Sequence, residues 1–299
     1  IFVTMNPILS IIIPFYGTAD KTLLERCLNS IRTQNISQEK YELIIADSNG
    51  KDLGAGAARN NGIRQANGEY LLFVDADDYL FPNSLLHCLT FLEKEHPDIL
   101  SFKFQKVKQG KKSPKKTKYS HHIYSFGASF MANNNYTGAA CIHFTRRTWL
   151  IEQQLFFPEN TYHEDEAFVA MAYLHAEKTI ITNWPIYAYF QHPQSITYQR
   201  DSEQGLKHVK DFKQILVYLC NYIKTQKELS STQKEALQRR INFLTIDYIQ
   251  QLVKNRRSPS FIFMEIKKLR QESFLPLPNN KYSWKYTLAK TIINLFTYK

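Results

Sequence analysis

A short apolar run that ends in a group of acidic residues most strongly limits how this chain can fold. The run extends from Tyr70 to Val74, and Asp75, Asp77 and Asp78 follow it at once. A continuous apolar segment of this length is typical of a strand buried on both faces of a parallel α/β sheet. The acids are therefore expected at the carboxyl edge of that sheet, where open α/β proteins bind their ligands.

The spacing of these acids favours a metal site. Side chains alternate along a strand, so we expect Asp75 and Asp77 to point to one side, with Ala76 leaving space between them. Clustered carboxylates at such an edge favour Mg²⁺ or Mn²⁺ that holds a substrate phosphate. Asp78 is interpreted as a turn or helix N-cap residue.

Composition places the chain among globular proteins. Its 299 residues are 43% hydrophobic and 22% charged, enough to bury a full core. No apolar stretch approaches the roughly 20 residues of a membrane-spanning helix. Residues 1–7 lack the layout of a signal peptide, so the predicted location is cytoplasmic. The four cysteines are scattered singly and are predicted to be reduced, packed thiols.

The net charge of +11 predicts an anionic partner, which could be nucleic acid, an acidic membrane surface or a phosphorylated substrate. Part of the excess lies in a lysine-rich run from Lys103 to Lys118, predicted to be a solvated loop. That run lacks the interleaved aromatic residues of a single-strand nucleic-acid platform. Nucleic acid is therefore not expected as the partner.

Segments before the acidic group predict further units of the same sheet. Ile8–Pro14 and Tyr41–Asp47 have the pattern of buried strands, and the second again ends in a carboxylate. Between them, apolar positions recur at helical spacing over Lys21–Thr33, with Asp20 placed as the cap. This order of strand, helix and strand favours a parallel sheet with right-handed connections.

A stretch rich in glycine and alanine, Gly54–Gly62, precedes the acidic strand. It lacks the spacing of a dinucleotide-binding fingerprint, because Arg59 stands where a glycine is needed. We interpret it as the start of a helix that packs closely on the sheet and carries Arg59 toward the ligand edge. A guanidinium suits a diphosphate there, since it stays charged and offers a planar fork of donors.

Together these segments resemble the family 2 glycosyltransferases of the GT-A fold over about the first hundred residues. The stretches that carry the resemblance are Ser10–Tyr16, Glu42–Asp47, Ala57–Ile63, Gly68–Tyr70 and Asp75–Asp78. The resemblance implies an α/β fold, Rossmann-like, with a mostly parallel central sheet flanked by helices. It also implies an inverting hexosyl- or N-acetylhexosaminyl-transferase of cell-envelope polysaccharide biosynthesis. Such an enzyme uses a nucleotide-sugar donor, usually a UDP-sugar, with Mn²⁺ or Mg²⁺, and a saccharide or lipid-linked saccharide acceptor.

The resemblance also implies the residues that bind the nucleotide-sugar. They are Pro14, Tyr16, Asp47, Arg59, Asp75, Ala76 and Asp77.

Carried over by position, Tyr16 would stack on the base, Asp47 would bond the ring N–H of the base, and Arg59 would contact the nucleotide. Asp75 would lie on the ribose side, and Asp77 would hold the metal that bridges the diphosphate. Residues 47–50 read Asp-Ser-Asn-Gly where the family often has Asp-Asp-Gly-Ser, which leaves the base preference open.

A second acidic centre lies at residues 164–166. Thr161 and Glu164 have the spacing of a capping box, and acids in a first helical turn are favoured by the helix dipole. The resemblance assigns Asp165 the role of catalytic base, which takes the proton of the acceptor hydroxyl during inversion. Before this centre, Phe126–Ala140 is expected to be an acceptor-side loop, and His143 a packed histidine.

The resemblance returns at Tyr187–Thr197, although Phe190 stands near the place of a family arginine. There, His192 is a candidate ligand of the metal or the diphosphate. The predicted catalytic domain covers residues 5–200, and a helical C-terminal region covers residues 201–299.

Two long amphipathic helices are predicted in that region, over Leu206–Lys224 and Gln233–Lys254. A last apolar helical face is expected within Ser283–Lys299. Its members are Trp284, Leu288, Ile292, Leu295 and Phe296. We interpret this face as core, with peripheral contact to the inner face of the membrane as the alternative.

Two other functions fit parts of the pattern. A non-catalytic module with the same fold could use its basic surface to bind an anionic surface. A nucleotidyltransferase would also use a carboxylate pair and a metal. Only the glycosyltransferase accounts for both Asp77 and Asp165.

Overall fold

The structure is a computed structural model that describes residues 6–15, 20–47, 54–108, 114, 117–191, 203–255 and 257–297, without the side chains of residues 203–204 and 296–297. The described residues fall into two compact units. The first lies within Ile1–Gly127 and Thr137–Ser195, and the second within Ala128–Tyr136 and Ile196–Lys299. Tyr16 and His192, both predicted site residues, lie outside the described residues, and so does the side chain of Phe296.

The described strands of the first unit form one eight-stranded sheet. The strands are β1 (Leu9–Pro14), β2 (Tyr41–Ala46), β3 (Tyr70–Phe73), β4 (Tyr79–Leu80), β5 (Ile99–Val107), β6 (His121–Tyr124), β7 (His143–Arg146) and β8 (Thr179–Phe190). Their order is β2-β1-β3-β7-β5-β8-β4, with β6 paired to β8. Strands β1, β2, β3, β5 and β8 run in one direction, while β4, β6 and β7 run in the opposite one.

The register of the first three strands brings their carboxyl ends to one edge. Pro14 is paired with Ala46, and Ile12 is paired with Phe73. Asp75 therefore follows β3 at the level at which β1 ends. This is the edge that the strand patterns predict.

The described helices are distributed over both units. They are α1 (Lys21–Arg32), α2 (Gly54–Gln65), α3 (Leu85–Glu95), α4 (Gly127–Asn133), α5 (Arg147–Glu152), α6 (Glu164–His175), α7 (Glu203–Thr225), α8 (Ser231–Lys254), α9 (Pro259–Gln271) and α10 (Trp284–Thr297). In the first unit, α2 packs on β1 and β2. In the second unit, α8 packs against α7, α9 and α10.

Most sequence expectations for these elements are confirmed within a few residues. Asp20 caps α1, with its carboxylate accepting the N–H of Thr22 at 2.8 Å. All four cysteines are unpaired, and burial raises the pKa of the Cys27 and Cys88 thiols. None of the described helices has both the length and the apolar character needed to cross a bilayer.

Two expectations about where these elements lie are wrong. Residues 126–140 include α4 rather than a loop alone, because buried Phe130 and Met131 give this segment an apolar helical face. Lys103 and Lys106 belong to β5 rather than to a solvated loop, since each is an exposed strand residue next to a buried one, Phe102 and Val107 respectively.

Candidate active site

The acidic group after β3 forms a turn. The N–H of Val74 still bonds to the carbonyl of Ile12 at 3.0 Å, and the N–H of Asp78 bonds to the carbonyl of Asp75 at 3.0 Å. The second bond closes a β-turn over residues 75–78. The expectation that strand alternation orients Asp75 and Asp77 is therefore wrong, because sheet pairing has ended before Asp75.

A single guanidinium brings the two acidic centres together. Nη2 of Arg59 lies 2.9 Å from Oδ1 of Asp75, and Nη1 lies 2.7 Å from Oε1 of Glu164 and 3.1 Å from Oδ1 of Asp165. The Arg59 side chain is only 5% exposed, so these contacts are shielded from water. The end of β3 and the start of α6 thus meet at one residue of α2.

Neighbouring packing holds Arg59 in this position. The next residue of α2, Asn60, exchanges two 2.9 Å hydrogen bonds with the backbone of Phe157, one through its amide nitrogen and one through its oxygen. The Phe157 ring stacks on Phe168 of α6 at 3.8 Å and lies 5.4 Å from the Arg59 guanidinium. These contacts connect α2 to the segment that leads into α6.

Burial and charge give Asp165 an unusual proton affinity. Burial raises the pKa of Asp165 to about 7, against the opposing effect of Arg59, while Glu164 and Asp75 add to the increase. One guanidinium cannot offset three carboxylates, so an ionised Asp165 is incompletely compensated. Its Oδ2 accepts the N–H of Ala140 at 3.2 Å, which fixes its orientation. Asp165 is therefore a carboxylate that can exchange a proton near neutral pH.

The start of α6 differs from the sequence expectation. The helix begins at Glu164 after His163, which has a left-handed backbone with φ of 66° and makes no capping hydrogen bond with its side chain. The hydroxyl of Thr161 donates to the carbonyl of Tyr162 at 3.1 Å, so the predicted capping box is wrong. Glu164 is instead engaged by Arg59, while the three acids do occupy the first turn as expected.

Asp78 has a larger role than the turn or cap residue expected from the sequence. It is 1% exposed, and its Oδ1 accepts the N–H of Phe190 at 2.7 Å, at the end of β8. Tyr187 of β8 hydrogen-bonds the Asp78 carboxyl and accepts the N–H of Asp75 at 3.1 Å. Burial and the charges of Asp75 and Asp77 raise the pKa of Asp78. The acidic turn is therefore attached to β8.

Arg26 of α1 is a second cation at this turn, and nothing in the sequence pattern singles it out. Its guanidinium donates to the backbone oxygen of Asp77 and lies 3.9 Å from the ring centroid of Phe190 and 4.9 Å from that of Tyr79. Phe190 stands near the place where the family resemblance leads one to expect an arginine. The structure supplies a guanidinium at this place from α1.

The remaining predicted residues lie at the same sheet edge. Pro14 is buried at the end of β1, and Ala76 is partly exposed in the turn. Asp47 is exposed just after β2, with its backbone oxygen accepting a 3.0 Å hydrogen bond from Asn61. His143 is a packed histidine as expected. Its Nε2 lies 2.8 Å from the Tyr173 hydroxyl, and burial lowers its pKa to about 4.

The charges at this edge suit a divalent cation that shares its ligands with a substrate. Five carboxylates meet two guanidinium groups, those of Arg26 and Arg59. The carboxylates are Asp75, Asp77, Asp78, Glu164 and Asp165. In the part of the chain that the structure describes, no three His, Cys, Asp or Glu side chains converge to hold a metal unaided. Mg²⁺ and Mn²⁺ commonly bind through one or two carboxylates plus substrate phosphates. The residues present fit that arrangement.

Comparison with solved structures gives the class of fold. The crystal structure of Staphylococcus aureus TarS 1-349 in complex with UDP-GlcNAc matches with a TM-score of 0.60 at 21% identity, over 97% of this chain and 89% of that chain. The mannosyltransferase PcManGT from Pyrobaculum calidifontis, in complex with GDP-Man and Mn²⁺, matches with a TM-score of 0.55 at 16% identity, over 99% and 89%. The protein has the GT-A fold, with a helical C-terminal region.

Sequence comparison then gives the family. Residues 48–153 match the model of Glycosyl transferase family 2. The resemblance seen in the sequence is therefore confirmed. The poly(ribitol-phosphate) beta-glucosyltransferase of Bacillus spizizenii is 33% identical over 132 residues, which are 36% of this chain and 20% of that protein. TarS itself, a poly(ribitol-phosphate) beta-N-acetylglucosaminyltransferase, is 26% identical over 207 residues, 60% of this chain and 35% of TarS. The chain thus spans a fifth to about a third of the length of these curated relatives.

Proposed function

We propose that this protein is an inverting glycosyltransferase that moves a sugar from a nucleotide-sugar donor, a UDP-sugar, to a hydroxyl of a saccharide or lipid-linked saccharide. The observation that carries the proposal is the Arg59 cluster. It holds the acid of the donor-side turn, Asp75, and the candidate base, Asp165, on one buried guanidinium. A direct displacement needs the donor site and the base next to each other.

The proposed donor site is the sheet edge that holds Pro14, Asp47, Asp75 and Asp77. TarS was solved with UDP-GlcNAc and PcManGT with GDP-Man and Mn²⁺, which supports a nucleotide-sugar and a divalent cation here. Asp77 would hold the cation, which when bound neutralises charge on the leaving diphosphate. Tyr16 and His192 are proposed to complete the site. The net charge of +11 also suits an anionic acceptor.

Asp165 is proposed as the general base of a direct displacement. Its carboxylate takes the proton of the acceptor hydroxyl as that oxygen bonds to the anomeric carbon, and the bond from this carbon to the diphosphate breaks. A pKa of about 7 makes Asp165 a stronger proton acceptor than an ordinary aspartate, and its carboxyl can still ionise near neutral pH. Arg59 orients the carboxylate, because its Nη1 lies 3.1 Å from Oδ1 of Asp165, and it holds this carboxylate near the donor-side acid. Direct contact of Arg59 with the nucleotide stays a prediction, since its described contacts are to carboxylates.

The test separates chemistry from donor binding. A panel of UDP-sugars and GDP-Man is first screened for hydrolysis with Mn²⁺, and transfer is then measured with the best donor. Asp165→Asn should lower turnover by about 10² to 10⁴ while leaving UDP affinity, measured by calorimetry with Mn²⁺, nearly unchanged. The matched control is Glu152→Gln, which removes an exposed charge at the end of α5. Thermal unfolding shows whether each variant is folded.

Two outcomes would contradict the proposal. Turnover of Asp165→Asn within about threefold of the parent would exclude Asp165 as the base. UDP binding that persists without turnover of any donor would favour the non-catalytic module.

A separate measurement tests the metal assignment. Asp77→Ala should abolish the gain in UDP affinity that Mn²⁺ gives over EDTA, and equal affinity of the parent in both conditions would reject it.

A further inference from the structure

A stripe of large apolar side chains lies exposed along α10. Trp284 is 72% exposed, Leu288 55%, Ile292 49% and Leu295 66%. At 100° per residue these four positions fall within an arc of about 80° on the helix surface. The sequence pattern predicted this stripe, but its interpretation as core is wrong, because core side chains would be buried.

The opposite face of α10 supplies its packing. Tyr286 is 1% exposed, and its ring packs 5.2 Å from that of Phe243 of α8. Asn294 exchanges two 2.9 Å hydrogen bonds with the backbone of Leu277. Lys290 is 8% exposed and donates to Asn279. The helix is therefore fixed within the second unit by one face, and the apolar stripe is directed away from it.

The segment that contains the stripe carries charge of one sign. The sequence from Ser273 to Lys299 contains four lysines and no aspartate or glutamate. Lys281 and Lys285 are exposed, and Nζ of Lys285 lies 5.7 Å from the Trp284 ring centroid, at the border of the stripe. An apolar stripe with tryptophan at one end and lysines at its border is the pattern of a helix that lies in a membrane interface.

We propose that this stripe docks on the surface of an anionic lipid bilayer. The four apolar side chains would enter the boundary of the acyl chains, and Lys281 and Lys285 would meet lipid phosphates. A second copy of this chain is a poorer occupant, since its stripe carries the same lysines and its helix offers no acid to pair with them. Four side chains also offer much less surface than the roughly 800 Å² that each partner of a stable dimer buries.

Vesicle binding by the full chain tests the proposal. The protein should co-sediment with vesicles of phosphatidylcholine and phosphatidylglycerol in a 3:1 ratio, and much less with phosphatidylcholine alone. Binding should weaken when salt is raised from 50 to 500 mM, because salt screens the lysine contacts. Trp149 and Trp184 are 5% and 1% exposed, so Trp284 alone changes environment on binding. Its emission should shift to the blue, and Trp284→Phe should remove that shift.

Paired variants locate the surface. Leu288→Gln with Leu295→Gln should reduce vesicle affinity at least tenfold, while Val253→Gln, which changes a 60% exposed side chain of α8, should leave it unchanged. Lys285→Glu should weaken binding roughly tenfold, given the usual contribution of one basic residue near an anionic surface. Lys94→Glu, a change at a side chain 75% exposed in the first unit, is the matched control. Donor turnover in solution should be unaffected in all four, which keeps this inference independent of the proposed function.

Three results would overturn the proposal. The first is absence of binding to anionic vesicles by the parent chain. The second is binding that survives Leu288→Gln with Leu295→Gln in a protein with unchanged thermal unfolding. The third is a concentration-dependent dimer in sedimentation velocity that the same double variant abolishes, without vesicle binding by the parent, which would assign the stripe to a second copy.

Discussion

Arg59 shares one positive charge among three carboxylates, and this imbalance sets how the site responds to pH. A base must be ionised to act, and burial raises the pKa of Asp165 to about 7. We therefore expect kcat/KM to increase about tenfold per pH unit below 7 and to level off above it. Rate profiles at fixed Mn²⁺ and donor concentrations would measure this.

Glu164→Gln provides a control of known sign for that pH profile. The charge of Glu164 raises the pKa of Asp165, so its removal should move the midpoint of the rate profile to lower pH.

The pH dependence of the free energy of unfolding gives a second measurement of the Asp165 pKa. Because the folded-state pKa of Asp165 is above its unfolded value, its stabilising effect is complete below pH 4 and is lost as the pH rises through 7. Asp165→Asn should therefore gain stability relative to the parent between pH 4 and pH 8. A midpoint near pH 4 in the parent would contradict both expectations.

Arg26 should contribute to donor binding through the backbone of the acidic turn. Arg26→Lys loses the stacking on Phe190 and the directed bond to Asp77, so UDP affinity with Mn²⁺ should fall about tenfold. Arg32→Lys is the control, because Arg32 lies on the same helix with a side chain that is 54% exposed. Calorimetry measures the UDP affinity of both variants. If Arg26→Lys binds UDP as tightly as Arg32→Lys, Arg26 serves packing alone.

Some site residues could be predicted from the sequence and others could not, because only some of them are marked by a local pattern. Asp75 and Asp165 could be predicted because each follows a local pattern, a strand end or a helix start, that the family resemblance also marks. Arg26 and Asp78 could not, since their importance comes from contacts with Phe190, which is more than 100 positions away along the chain. Periodicity carries no information about such tertiary contacts.

Among the helices, α2 depends most on close approach to the sheet. A Cβ on Gly62 would lie 2.3 Å from Cγ2 of Ile12, which is fully buried in β1 and cannot move aside. Alanine favours a helix by about 0.5 to 1 kcal/mol over glycine. Overpacking costs about 1 to 3 kcal/mol, so the net effect of Gly62→Ala should be destabilising.

A double-mutant cycle tests this explanation of Gly62. Ile12→Ala alone should cost about 2 to 5 kcal/mol by leaving a cavity. Combined with Gly62→Ala, the total loss should fall below the sum of the two by at least about 0.5 kcal/mol, because the new methyl occupies space that Ile12 vacated. Urea unfolding measures each free energy, and Arg64→Ala, at an exposed position of α2, serves as the neutral control. Strict additivity would show that the contact with Ile12 is not the cause.

The elements that agree with the sequence are those with strong local signals. Capping by Asp20 and the apolar spacing of α1 predicted its bounds to within one residue. The helix α4 was missed because its many small and amide side chains resemble a loop, and its apolar face is recognisable only beside the helices of the second unit. Two residues after α4 ends, Asn135 accepts a 2.6 Å hydrogen bond from Nη2 of Arg239 in α8.

At the scale of the whole molecule, the chain enters the second unit twice. Residues 128–136 group with the C-terminal helices, whereas the sequence predicted one boundary near residue 200. The boundary near residue 200 stays a prediction, which expression of residues 1–200 alone would test. A chain shortened to residues 1–200 would keep the first unit but only one piece of the second.

That shortened chain should fold less cooperatively than the full chain. Residues 128–136 would lose Arg239, which bonds Asn135, and Arg240, whose guanidinium lies 4.3 Å from the Tyr136 ring centroid. Phe130 and Met131, 6% and 0% exposed in the full chain, belong to the unit of which this shortened chain keeps one piece. We therefore expect binding of a hydrophobic dye and rapid proteolysis within residues 128–136. Cleavage at that segment in the folded full-length variant Arg240→Ala, but not in Arg257→Ala, would attribute the effect to these contacts. Cooperative unfolding of residues 1–200 with full UDP affinity would instead show that the first unit is complete without the second.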